Sequence, residues 1–322
     1  MARSLNNTRS LALGLILLTG WFGVAPAQRP APVDPQKEVA LSRALMLQGS
    51  YDEAARRFAE LAKSFPESPA GEFYQAVALT WKSYLDAKLE TGSRQYDTQI
   101  EGLLDSAIKK AETQRSRAAR TKAEEIESLY YLGSAYAMRS RMSFFQNHAI
   151  PAARHARKAQ DYMNELIKLD PDYPDSYFAA GSIYYRVGLV TDSPLGQLAS
   201  RMLGSKALPE GNRERGLQYL TVAAGRGVFT GEDAKLALLE VFTFNENRLD
   251  EALAIARDMQ TKYPGNQTFS RYLLRIYLGL KDRAKLVETA RQILGQVKAG
   301  RPNYGPFMKA EAEKFLAEAA KL

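Results

Sequence analysis

Gly49-Ser50-Tyr51-Asp52-Glu53-Ala54, continuing through Phe58 and Leu61 to Pro66, reads as a tight turn, a helix and a stop. Ala54, Phe58 and Leu61 recur at the spacing of one helical face. Small Ala54 lets a second helix approach closely, and Phe58 and Leu61 fill the gap beside it. Pro66 forbids continuation, because its ring removes a backbone donor and collides with the preceding turn. Upstream, Leu41 and Leu45 stand four residues apart, so a first helix is expected to bury both. The stretch is therefore the second half of an antiparallel helical hairpin. Similar segments end at Pro171 and Pro264.

Helical periodicity continues from residue 38 almost without interruption. A long helix over 69–90 carries Phe73, Ala76, Leu79, Trp81 and Leu85. Its partner over 98–115 carries Ile100, Leu103, Leu104, Ala107, Ile108 and Ala111, and Thr91-Gly92-Ser93 supplies the break. The next first helix holds Leu129, Leu132, Gly133 and Tyr136, and its partner over 152–169 holds Ala159, Met163 and Leu166. Tyr177, Ala180, Gly181 and Tyr184 repeat that arrangement, and Gly133 and Gly181 are read as points where adjoining helices touch. The pattern lapses over about 189–211, an insertion with room for one short amphipathic helix over 195–208, before a partner helix over 213–225. Helices over 232–245, bearing Leu236, Leu239 and Phe242, and over 249–263, bearing Ala252 and Ala256, form the next unit. Phe269, Leu273 and Tyr277 open another, closed over 284–297. A final helix over 307–322, with Lys309, Glu311, Glu313 and Lys314, suits the polar outer face of a terminal cap.

These hairpins, with Leu129-x-x-Leu132-Gly133-x-x-Tyr136 and Tyr177-x-x-Ala180-Gly181-x-x-Tyr184 as the best examples, resemble the tetratricopeptide repeat (TPR) family over most of residues 38–297. The segment 208–217 also resembles a stretch in helical-repeat proteins of the mitochondrial outer-membrane inheritance type, and no function is carried over from that short likeness. The TPR resemblance implies an all-α fold of antiparallel hairpins stacked as a right-handed solenoid, whose first helices line a concave groove. It places groove positions at Tyr130, Ser134, Ala137 and Met138, then at Phe178, Ser182, Tyr185 and Arg186. Tyrosine and arginine are frequent interface anchors. Ser134 and Ala137, where polar donors would be needed, argue against the family's carboxylate clamp for chaperone tails.

The N-terminus lies outside this pattern. Arg3 and Arg9 precede an apolar run over 11–24, and Ala25-Pro26-Ala27 offers a small-residue cleavage site, as in a secretory signal peptide. Residues 28–37 hold three prolines and read as an extended linker. The expected organisation is thus a signal peptide at 1–27, a linker at 28–37, the repeat array at 38–297 and a loop with a capping helix at 298–322. Export to the periplasm or outside is expected. The chain contains 0 cysteines, so packing alone must hold it and no thiol chemistry is available.

Hydrophobic residues at 45% and charged residues at 25% exclude a wholly disordered chain. Net charge is +8, with Arg115, Arg117, Arg120, Arg139, Arg141, Arg154 and Arg157 crowded into 109–158. Glu112, Glu124, Glu125 and Glu127 interleave with them, which reads as a solvated face. Nucleic-acid binding is not expected of an exported chain.

Catalytic chemistry finds little support. His148 and His155 are the only histidines, and Pro151 between them predicts a helix start that leaves His148 in a loop. No metal site, cofactor or catalytic residue is expected. No Gly-x-Ser-x-Gly elbow occurs, and the glycine-rich strings lack the strand-turn-helix setting of a phosphate loop. The expected function is a non-enzymatic scaffold or adaptor of the cell envelope, holding a protein or peptide at Tyr130, Ser134, Met138, Phe178, Ser182, Tyr185 and Arg186. An alternative keeps residues 10–27 as a membrane tether and lays the basic stretch 109–158 on anionic headgroups.

Overall fold

In the computed structural model the described residues are 34–85, 87–88, 93–194, 196–197 and 209–322. The expected signal peptide, most of the linker and most of the expected 195–208 helix lie outside them. Asp34–Leu322 forms one compact unit. Among the described residues there are thirteen helices and no strand. They are α1 (Pro35–Leu47), α2 (Tyr51–Ser64), α3 (Ala70–Lys82), α4 (Asp97–Ser116), α5 (Lys122–Phe145), α6 (Ala149–Leu169), α7 (Ser176–Thr191), α8 (Arg213–Arg226), α9 (Gly231–Phe244), α10 (Leu249–Lys262), α11 (Gln267–Gly279), α12 (Arg283–Lys298) and α13 (Pro306–Ala319).

Each helix packs on the next in chain order, and first helices also touch first helices: α1 on α3, α3 on α5, α5 on α7, α7 on α9, α9 on α11. This is the all-α, TPR-like succession of hairpins that the repeat spacing predicts, capped by α13. One apolar core runs through it, from Val39 and Met46 through Leu132 and Met163 to Phe315. A single hairpin has no core of its own, so burial between neighbours stabilises the whole.

Two of the glycines mark close crossings between helices. A Cβ on Gly181 would lie 2.9 Å from the Gly216 carbonyl and from the Leu220 amide, so α7 and α8 meet backbone to backbone. At Gly133 the neighbour is softer, the side chain of Met163 on α6, whose Cε would lie 2.5 Å from an added Cβ.

Several boundaries differ from expectation for physical reasons. The first described helix begins at Pro35 rather than 38, because Asp34 caps α1 by accepting from the Gln36 amide and Pro35 occupies the first turn, where its missing N–H costs nothing. Pro151 likewise sits inside the first turn of α6, which starts at Ala149 with His148 as its N-cap. The helix expected over 69–90 ends at Lys82, where the Ser83 hydroxyl donates to the Thr80 carbonyl. In α1 the inward stripe is Val39, Ser42, Arg43 and Met46, while Leu41 is exposed. Leu236 is only half-buried, beside fully buried Leu239.

Entry into α8 is held by Asn212, whose side chain accepts from the Arg215 amide at 2.9 Å. Asn212→Ala removes this cap and is expected to cost about 1 kcal/mol, read as a lowered urea midpoint; an unchanged midpoint would show the cap to be idle.

Candidate functional site

The first helices α1, α3, α5, α7, α9 and α11 face inward, and the array closes on itself. Arg43 on α1 is buried and pairs with Asp233 on α9, with its guanidinium 5.3 Å from the Tyr74 ring centroid on α3. Tyr74 and Tyr130 on α5 join hydroxyls at 3.2 Å, and Tyr130 packs edge-on against Phe73, Tyr131 and Tyr173. Burial pushes the Tyr74 hydroxyl up to about 12, so it stays neutral, and it raises Tyr130 and Tyr131 as well. The N-terminal hairpin also reaches across the array. Asn266 donates to the Leu47 carbonyl at 3.0 Å and accepts from the Tyr51 hydroxyl at 3.2 Å, while Asn303 donates to the Gly49 carbonyl at 2.7 Å.

The structure therefore divides the sequence-predicted groove residues into two sets. Tyr130, Ser134 and Tyr185 are buried, at 3%, 8% and 1% exposure. Tyr185 donates to a Glu246 oxygen at 2.5 Å, and its hydroxyl is pushed up by burial and by that carboxylate. Open access to these three, as the concave-groove expectation requires, does not hold in the closed array. Ala137, Met138, Phe178, Ser182 and Arg186 keep partial exposure.

Met138 and Arg186 belong to the half of the inner face nearest the C-terminal ends of α5, α7 and α9. There Arg186 donates to Glu240 at 3.0 Å, and Arg141 lies 3.9 Å from the other oxygen of the same carboxylate. Arg141 also donates to the Tyr84 hydroxyl and stacks its guanidinium 5.2 Å from the Phe145 ring centroid. Burial alone would raise the Glu240 carboxyl; the attraction of Arg186 and Arg141 outweighs it and leaves the group below the ordinary range. Side-chain exposures of 29%, 38% and 21% for Arg141, Arg186 and Glu240 mean that water, and hence a partner, can touch this cluster. Sequence reasoning missed Arg141 and Glu240. The signal was available for Arg141, which follows Met138 by three residues on one helical face.

Elsewhere the basic stretch is largely met by carboxylates from other parts of the fold. Lys110 pairs with Glu72 at 2.5 Å, Arg115 with Glu165 at 2.7 Å, Arg117 with Glu67 at 2.8 Å, and Arg139 with Asp105. His155 lies on α6 near the Ser143 hydroxyl, at 3.4 Å, and burial, with Arg139 second, lowers its pKa. Among the described residues no group of three or more His, Cys, Asp or Glu is placed to hold a metal, and no helix is long and apolar enough to cross a membrane. A cleft of about 400 Å³ lies between α12 and α13 and is lined by Arg283, Val287, Arg291 and Leu316. Its lining brings no acid, base or nucleophile together.

No family model matches the chain, and no curated protein matches it. Among solved structures it is similar to a thermophilic TPR protein of Thermus thermophilus, at 18% identity and a TM-score of 0.43, over 76% of this chain and 99% of that one.

Proposed function

We propose that the protein is a non-enzymatic interaction scaffold of the cell envelope, exported by residues 1–27, and that it holds a protein or peptide segment against the exposed part of its inner face. The observation that carries this reading is the cluster of Arg141 and Arg186 around Glu240. Two arginines share one carboxylate at a partly exposed position, with Phe145 against the Arg141 guanidinium and Met138 one turn before Arg141 on α5. Stacked helices preform such a surface, so little ordering entropy is lost when a partner binds. Arginine and aromatic side chains partly removed from water are the groups that concentrate binding energy. Phe178 and Ser182 extend the contact along α7. Tyr130, Ser134 and Tyr185, buried in the closed array, lie outside this contact.

The test is photo-crosslinking in intact cells from Met138, with Lys109 on α4 as the control position. A specific envelope partner recovered from position 138 and absent from 109 supports the reading. Arg186→Glu is expected to lower that recovery at least tenfold, the size of a hot-spot loss, with helicity unchanged. Equal labelling from both positions, or no effect of Arg186→Glu, removes the proposed surface. The N-terminus of the purified protein is read in the same preparation, and a start at Gln28 is the expected result.

A further inference from the structure

We infer that the closure between the N-terminal hairpin and α9–α13 is a reversible latch, and that its opening uncovers an aromatic inner surface that the closed array hides. This stands independently of the partner surface proposed above. Among the described residues every successive pair of helices packs closely from α1 to α13, whereas no helix of the first hairpin packs in this way on α9, α10, α11, α12 or α13. Side chains and loops bridge that seam instead. Arg43 meets Asp233, Tyr51 meets Asn266, Asn266 meets the Leu47 carbonyl, and Asn303 meets the Gly49 carbonyl. Gly49 brings its backbone against Gly265 with a φ of +93°, a conformation open to glycine, and a Cβ there would lie 3.0 Å from the Gly265 carbonyl. Arg271 on α11 adds hydrogen bonds to the carbonyls of Tyr84 and Ala87 just beyond α3.

Such a seam differs from the hairpin contacts in what opening costs. Water replaces hydrogen bonds to amides and carbonyls almost evenly, whereas it does not replace apolar packing. A buried ion pair loses its attraction on opening but regains the hydration of both charges. The array therefore has a separable edge, while α5 on α6 and α7 on α8 do not. Behind that edge lie Tyr74 and Tyr130, hydroxyl to hydroxyl, with Phe73 and Tyr131 edge-on. These include a groove position, Tyr130, which the closed form keeps from solvent.

Asn303 has a φ of +67°, which glycine also accepts, so Asn303→Gly deletes the bond to Gly49 without straining the loop. Native-state hydrogen exchange on the full chain, followed by peptide, tests the latch. In the wild-type protein, amides of α1 and α2 are expected to exchange through an opening smaller than global unfolding, ahead of α5 and α6. Asn303→Gly is expected to speed that exchange roughly fivefold, the weight of one net hydrogen bond, and to raise tetranitromethane nitration of Tyr74 and Tyr130 in parallel. Arg43→Met should open the seam further, and Arg43→Met with Asp233→Leu should close it again, since no buried carboxylate is then left alone. Exchange of α1–α2 with the same protection as α5–α6 in the wild-type protein, or a uniform rise over all helices in Asn303→Gly, would overturn the latch.

Discussion

Arg271→Met is expected to destabilise the protein by about 3–5 kcal/mol, the usual loss when one partner is removed from a buried charged network. Arg271 on α11 has a side-chain exposure of 0%. Its guanidinium donates to Glu311 on α13 at 2.5 Å and to the carbonyls of Tyr84 and Ala87, both at 2.6 Å, and lies 5.0 Å from the Phe307 ring centroid. Methionine keeps much of the volume and none of the donors. Both carbonyls would lose a charge-assisted hydrogen bond in a region that water does not reach freely. Glu311 would keep Arg275, at 2.8 Å, as its remaining counter-charge. Trp81, one turn before Tyr84 and itself buried, is a natural reporter in urea unfolding. The comparison variant is Arg56→Met on the outside of α2, where exposed arginine bonds only Glu53 and Glu60 of its own helix and the midpoint should not move. An Arg271→Met midpoint equal to that of Arg56→Met would mean that the network contributes nothing to stability.

Arg271 also shows why the closure was hidden in the sequence while the helices were legible. Helix by helix, the apolar spacing predicts what forms: Ala54, Phe58 and Leu61 are buried on α2, as are Ala159, Met163 and Leu166 on α6. Gly133 and Gly181 do lie against adjoining helices. These are local signals, set by periods of three and four residues and by neighbouring hairpins. The seam uses residues 184 to 254 positions apart, and its inward residues include arginine, aspartate and asparagine. On a helical wheel those types mark the solvent side, which is why Leu41 reads as core although it is exposed and the buried stripe runs through Arg43 instead. A charge that faces inward is recognisable only once its counter-charge is in place. The same blindness affected the site: Tyr130 and Tyr185 carry the residue types of an interface, and they are spent on packing inside the closed array. Arg186 and Met138 occupy equivalent places in the repeat and keep water contact, because the inner face is open nearer the ends of α5 and α7.

Gly216→Ala on α8, the addition of a single methyl, is expected to destabilise the protein by a net of about 1–2 kcal/mol. An added Cβ would lie 2.5 Å from the Tyr185 amide nitrogen, 2.6 Å from its Cβ and 2.7 Å from its Cα. Those atoms are α7 backbone and the root of a side chain, so nothing can rotate aside and the two helices must separate. Overpacking a tight core costs about 1–3 kcal/mol and sometimes more, against which alanine returns about 1 kcal/mol of helix propensity. Separation would also carry Tyr185 away from Glu246 and loosen Arg213, which donates to that same carboxylate at 2.7 Å. Gly102 on α4 is the control, since nothing lies within 4 Å of a Cβ there, and Gly102→Ala should stabilise by up to about 1 kcal/mol. Opposite signs for the two glycines in urea unfolding would establish that α7 and α8 meet on their backbones. If Gly216→Ala instead stabilises as Gly102→Ala does, the helices stand farther apart than the structure places them, and the register of the inner face around Tyr185 and Arg186 must be redrawn.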